Sequence, residues 1–196
     1  MQNIEEIRAE VLRWFDPTSR EADSDSEHHS PDGRYSLRCT GFRMSDPRRN
    51  WVVLEVCVIE NASGEQLFKF VTDHDESFHA WLVVHGTDYL IFPEAQGGQT
   101  VFDLTHRKFA SHFTSEDEFI WVGFHLSPSR RWLAIQGCYW ACPDSVMVYD
   151  FSKPLSLPLP KVREICEDCN TSFSCWTEAD ELILTDGQLF KMPDAP

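Results

Sequence analysis

Seven cysteines in a chain of 196 residues are the first candidates for chemistry. Four of them form two close pairs, Cys138 with Cys142 and Cys166 with Cys169, with 23 residues between the pairs. Two knuckles of two thiolates supply the four soft ligands of a tetrahedral structural zinc site. Such an ion would staple the segment near 140 to the segment near 168. The plainer reading makes Cys138 and Cys142 small buried residues flanking a hairpin. Glu167 and Asp168 sit inside the second knuckle and add negative charge to an anionic site. They would also raise the thiol pKa, which argues against a redox pair at 166–169.

Histidines offer a second chemistry. His74, His79, His85, His106, His112 and His125 are scattered through the middle of the chain, and Asp73-His74-Asp75-Glu76 sets carboxylates around an imidazole. That combination binds a divalent cation or moves protons, as a metal-dependent hydrolase would require. An acidic loop between two strands explains it more simply. His28-His29 are adjacent on a polar stretch, where two imidazoles rarely converge on one ion. No nucleophile elbow, P-loop or dinucleotide fingerprint is present, and Gly97-Gly98 reads as a hairpin turn. Tyr139 and Trp140 lie between two cysteines and before Pro143, on a loop where a large ring pair would serve as a binding anchor.

The elements that must position these residues are mostly strands. Hydrophobic residues make up 42% of the chain and aromatics 13%, enough for a packed core rich in strand-forming rings. Residues 4–15 read as an amphipathic helix with Ile4, Ile7, Val11 and Trp14 on one face, ended by Asp16-Pro17. Residues 16–29 read as a mobile acidic linker without apolar residues. From residue 30 onward, strand and turn signals alternate. Strands are expected near 34–42, 51–59, 66–71, 80–85, 89–92, 100–104, 119–126, 133–136, 145–151, 181–184 and 188–192. Ser30-Pro31-Asp32-Gly33-Arg34-Tyr35 is echoed by Ser127-Pro128-Ser129-Arg130-Arg131-Trp132, and Val101-Phe102-Asp103-Leu104 by Val148-Tyr149-Asp150-Phe151. The two Ser-Pro signals are 97 residues apart, which accommodates two units of about 48 residues, each the size of one four-stranded blade.

These motifs resemble the blades of WD40-like and TolB-like β-propellers over most of residues 30–192. The Gly-His and Trp-Asp pairs of WD40 blades are absent. The resemblance implies a mainly β, propeller-like repeat of about four antiparallel sheets with an N-terminal helix; a β-sandwich or barrel is the alternative. Three full units and a remnant could close through the N-terminal segment, pair two chains into one larger ring as a homodimer, or stack openly. The box Gly137-Cys138-Tyr139-Trp140-Ala141-Cys142-Pro143 is similar to one in small uncharacterised bacterial proteins, which implies a bacterial origin and no activity.

Charge narrows the function classes. A net charge of −15 repels phosphate backbones, so nucleic acid is not an expected partner. No apolar run is long enough to cross a membrane, and the acidic start Met1-Gln2-Asn3-Ile4-Glu5-Glu6 is not a signal peptide, which places the chain in the cytoplasm. Five arginines against two aspartates give residues 30–50 a charge of +3, either one basic patch or a partner for the acidic linker. The expectation is a non-enzymatic protein-interaction module, with residues 1–29 as helix and linker and 30–196 as one β-repeat domain. Its partner would be a basic protein surface, and an immunity or antitoxin-like role is one version. The competing classes are the metal-dependent hydrolase and a zinc-stapled structural protein; otherwise no cofactor is implied.

Overall fold

The computed structural model describes residues 3–44, 52–113, 119–139, 144–166 and 172–193. Helix α1 (Ile4–Trp14) starts on a capping box, in which Asn3 and Glu6 satisfy each other's backbone amides. Among the described residues, fifteen strands follow in four antiparallel sheets, each a simple meander. Sheet 1 holds β1 (Ser26–His29), β2 (Tyr35–Arg43), β3 (Val52–Glu60) and β4 (Glu65–Thr72). Sheet 2 holds β5 (Ala80–Val84), β6 (Thr87–Ile91), β7 (Gly98–Asp103) and β8 (Lys108–Phe113). Sheet 3 holds β9 (Ile120–Leu126), β10 (Trp132–Cys138), β11 (Asp144–Asp150) and β12 (Lys161–Cys166). Sheet 4 has three strands, β13 (Phe173–Trp176), β14 (Glu181–Leu184) and β15 (Leu189–Lys191).

Period-two alternation turns these sheets into a stack. In β3, Leu54, Val56 and Val58 face sheet 2, while Val53 faces α1. Leu90 and Phe102 of sheet 2 return that contact, and their neighbours Ile91 and Val101 face sheet 3. Leu133, Ile135, Met147 and Tyr149 complete the second core. Trp132, Ala134, Val146 and Val148, on the opposite face of sheet 3, meet Leu182 and Leu184 of sheet 4. The result is a propeller-like arc of four sheets that does not close into a ring. Helix α1 lies on sheet 1 through Val11, Trp14 and Phe15. The Arg8 guanidinium also reaches sheet 2 and pairs with the buried Glu94 carboxylate at 2.6 Å.

The repeat read from the Ser-Pro signals has a structural basis. The Ser30 amide donates to the Tyr35 carbonyl (2.9 Å) and the Ser127 amide to the Trp132 carbonyl (2.8 Å). In each turn the serine hydroxyl accepts the amide of that same ring residue. Gly33 and Arg130 take the same left-handed backbone, φ 70° and 66°. Arg34 lies over the Tyr35 ring and Arg131 over Trp132. Sheet 4 has a related turn one residue shorter, with Thr177 in the serine's place, Glu181 closing it and Asp180 left-handed at φ 58°.

Four strands fall outside the expected set. β8, β12 and β13 lie in stretches with mixed polar residues, where alternation is weak. β1 lies within 16–29, the stretch expected as a mobile linker. It pairs with β2 from Ser26↔Cys39 to His29↔Ser36, and Arg20 bridges Phe42. Ion pairs Arg38–Glu27 (2.9 Å) and Arg43–Glu21 hold the acidic stretch to the basic strand. Arg34 is engaged by Asp32 and Asp88. The described arginines of the basic segment are therefore neutralised internally; Arg48 and Arg49 lie outside the described residues.

Candidate binding site: an acidic cleft at the first sheet

A cavity of about 400 Å³ opens beside sheet 1, lined by Asp23, Asp25, Asp73, His74, Asp75 and Glu76, with Val52 and Leu54 as its apolar floor. Among the described residues no lysine or arginine lines it, although Arg20 pairs with Asp25 at its rim. Two segments bring the carboxylates together. Asp73 to Glu76 belong to the β4–β5 connection. Its start is fixed by the Thr72 hydroxyl, which donates to the Glu94 carbonyl (2.7 Å) and accepts the His74 amide (3.0 Å). The Ser77 amide donates to the Asp75 carboxylate at 2.8 Å, and the Ser26 hydroxyl to Glu76 at 3.2 Å.

Asp23 and Asp25 come from a single 3-10 turn, Ala22–Ser24, and its flank. That turn lies on β2 at Gly41, where an added Cβ would stand 2.4 Å from the Ser24 Cβ. The glycine therefore permits the close approach that puts Asp23 and Asp25 on the cleft. Its amide donates to Asp25 (3.2 Å), and its carbonyl accepts the Glu21 amide (2.8 Å).

The protonation states suit a cation acceptor. Arg20, paired with Asp25 at 2.5 Å, holds that carboxyl below its ordinary range. Burial works to raise the Asp75 pKa, but the hydrogen bonds from Ser77 outweigh it and leave it lowered. Burial drives His74 down to about 4 against the pull of Asp75, so its imidazole is neutral near pH 7. Its Nε2 is buried without a hydrogen-bond partner. His79 is lowered by burial as well, and its ring meets His28 edge to face at 4.8 Å.

The other candidate residues lie elsewhere. Tyr139 is half-buried, donates to the Glu164 carboxylate at 3.2 Å, and packs its ring 5.2 Å from Phe119. Trp140, Cys142 and Cys169 lie outside the described residues. Cys138 ends β10 and Cys166 ends β12, and the register Cys138↔Asp144 and Ser145↔Cys166 sets both at the same end of sheet 3. Gly137 is required there, because a Cβ would stand 2.0 Å from the Ile120 carbonyl oxygen. Among the described residues, no group of three or more His, Cys, Asp or Glu side chains is placed to hold a metal ion.

Sequence reading identified the 73–76 wall of the cleft and missed Asp23 and Asp25. The available signal was Thr40-Gly41-Phe42, a glycine inside an apolar strand, which marks a close backbone approach.

No family model matches the chain. An uncharacterized protein of Acanthamoeba polyphaga mimivirus is 24% identical over 143 residues, covering 72% of this chain and 56% of that protein. The chain thus spans little more than half the length of this relative. The relative is viral, and the bacterial origin implied by the 137–143 box finds no support in it. Among solved structures, the Swd1 β-propeller domain of Myceliophteria thermophila has a TM-score of 0.40 at 11% identity, covering 87% of this chain and 72% of that one. The dihydro-heme d1 dehydrogenase NirN has a TM-score of 0.29 at 15% identity, covering 72% and 37%. Among the described residues no helix is long and apolar enough to cross a membrane.

Proposed function

We propose that the chain is a non-enzymatic interaction module that receives a basic surface of another protein in the cleft between Asp23, Asp25 and the 73–76 connection. The carrying observation is five carboxylates around about 400 Å³ with no lysine or arginine among the described lining residues. The body's charge of −15 would steer a basic partner toward it. A test compares wild type with Asp73→Asn/Asp75→Asn/Glu76→Gln by calorimetry against a short arginine-rich peptide. The variant is expected to bind about ten-fold more weakly, and wild-type affinity should fall with added salt. Affinity indifferent to both the substitutions and salt would overturn the reading.

The shared end of sheet 3 favours a second reading, a zinc staple of Cys138, Cys142, Cys166 and Cys169. β10 and β12 deliver one cysteine of each pair to that end. Metal analysis of purified protein decides it. Stoichiometric zinc that disappears in Cys166→Ser supports the staple, and a stable metal-free protein ends it.

A further inference from the structure

A second cavity, of about 390 Å³, lies on the outer edge of sheets 1 and 2 beside α1. Its walls are apolar: Leu12 of α1, Phe68 and Phe70 of β4, Phe102 of β7 and Phe109 of β8. Leu12 and Phe109 are each 53% exposed, two of the few large apolar side chains left open to solvent. Phe70 stacks on Phe102, and Phe68 packs against the same ring at a tilt, 4.9 Å between centroids. The cations that line it are already neutralised. Arg8 is held by Glu94 and Glu5, and Lys69 by Glu55 at 2.8 Å. A cavity of this size and lining fits an apolar group of a ligand.

Continuity identifies the occupant. Val71 lines the aromatic groove, and Asp73, two residues further along the same chain, lines the acidic cleft. The nearest lining residues are about 7 Å apart along the extended chain, and Phe68, which meets Phe109 at 6.0 Å, stands about 17 Å of extended strand from Asp73. One bound segment would thus meet an apolar hole and a cluster of carboxylates in succession. Resting on the cleft reading above, we propose that the partner is a basic segment with one large apolar side chain, which anchors in the groove between Leu12 and Phe109 while its cations fill the cleft. Anchor and charges divide the work: burial of the ring supplies affinity, and the carboxylates supply orientation and on-rate.

The experiment uses two probes, a short arginine-rich peptide with one tryptophan and its twin with alanine in that place. Calorimetry on wild type should give a ratio of affinities of about ten- to a hundred-fold in favour of tryptophan. Leu12→Ser/Phe109→Ser should bring the ratio near one and leave the alanine twin's affinity unchanged. Both positions are half-exposed, and a melting curve checks the fold. Asp73→Asn/Asp75→Asn/Glu76→Gln should weaken both peptides alike and keep the ratio. A wild-type ratio near one would overturn the anchor and leave the cleft reading standing. Failure of both peptides to bind would overturn both.

Discussion

Sheet 1 and sheet 4 end the stack in opposite ways. Sheet 1 has two nine-residue central strands, and its outer face is covered by α1 through Val11, Trp14 and Phe15. The acidic stretch 16–29 wraps its edge with ion pairs and with β1. Sheet 4 has three strands of three or four residues, joined to sheet 3 by one apolar cluster. A hydrogen bond from the Trp176 indole to the His125 carbonyl (3.0 Å) and one from the Ser129 amide to Asp180 (3.0 Å) also tie it down. Its outward residues Cys175 and Leu189 are exposed. Both cavities of the proposed interface lie at the thick end. Covering a terminal sheet with a helix supplies the burial that ring closure would give, and it leaves loops at that end rigid enough to hold charges in place.

The largest effects should separate the two ends. Leu37, fully buried between sheets 1 and 2, should cost about 2–5 kcal/mol when changed to alanine and lower the melting of the whole molecule. Leu184→Ala removes the same side chain from sheet 4, where neighbours can open locally. Hydrogen exchange should then show β14 amides exchanging faster than β3 amides even in wild type. Equal protection of β3 and β14 would abolish the distinction between the ends.

Acid probes the same contrast. His74, His79 and His125 all have pKa values lowered by burial, so the folded state prefers each imidazole neutral. An unfolded histidine takes up its proton near pH 6.5 and the folded His74 near 4. Stability is therefore fully present above pH 6.5 and is lost as the pH falls toward 4, by on the order of 3 kcal/mol for His74. The groups facing that ring are Asp75, which favours its protonation, and Phe78 at 5.7 Å. Denaturant midpoints between pH 7 and 4.5 should fall less steeply for His74→Phe than for wild type. An unchanged slope would assign the acid sensitivity to His79 and His125 instead.

Much of this architecture was legible in the chain. The Ser-Pro turns announced the repeat because their hydrogen bonds recur residue for residue at 30–35 and 127–132. The related turn from Thr177 to Glu181 was hidden because threonine replaces serine, no proline follows and the turn is one residue shorter. Edge strands β1, β8 and β12 escaped notice because, among the described residues, only one of their edges pairs and polar residues are mixed into them. Half of the cleft was missed for a related reason. Asp23 and Asp25 reach the cleft only through the approach of their turn to Gly41, a tertiary contact that local pattern does not encode. The aromatic groove was invisible in the same way, since it joins Leu12, Phe68 and Phe109 from three separate segments.

The smallest effect tests the thin end most directly. Trp176→Phe keeps a ring against the sheet 3–sheet 4 cluster and deletes the indole donor to the His125 carbonyl. A lost hydrogen bond of this kind costs about 1 kcal/mol. If sheet 4 is held as a separate local unit, that cost should appear as faster exchange confined to β13, β14 and β15, with the global denaturant midpoint nearly unchanged. His125 stacks on Phe173 at 3.8 Å, so the variant leaves this second tie in place and the sheet stays docked. A global shift of the full size would mean that sheet 4 unfolds together with sheet 1. The covered end and the bare end would then be one cooperative body, and the helix α1 would stabilise both.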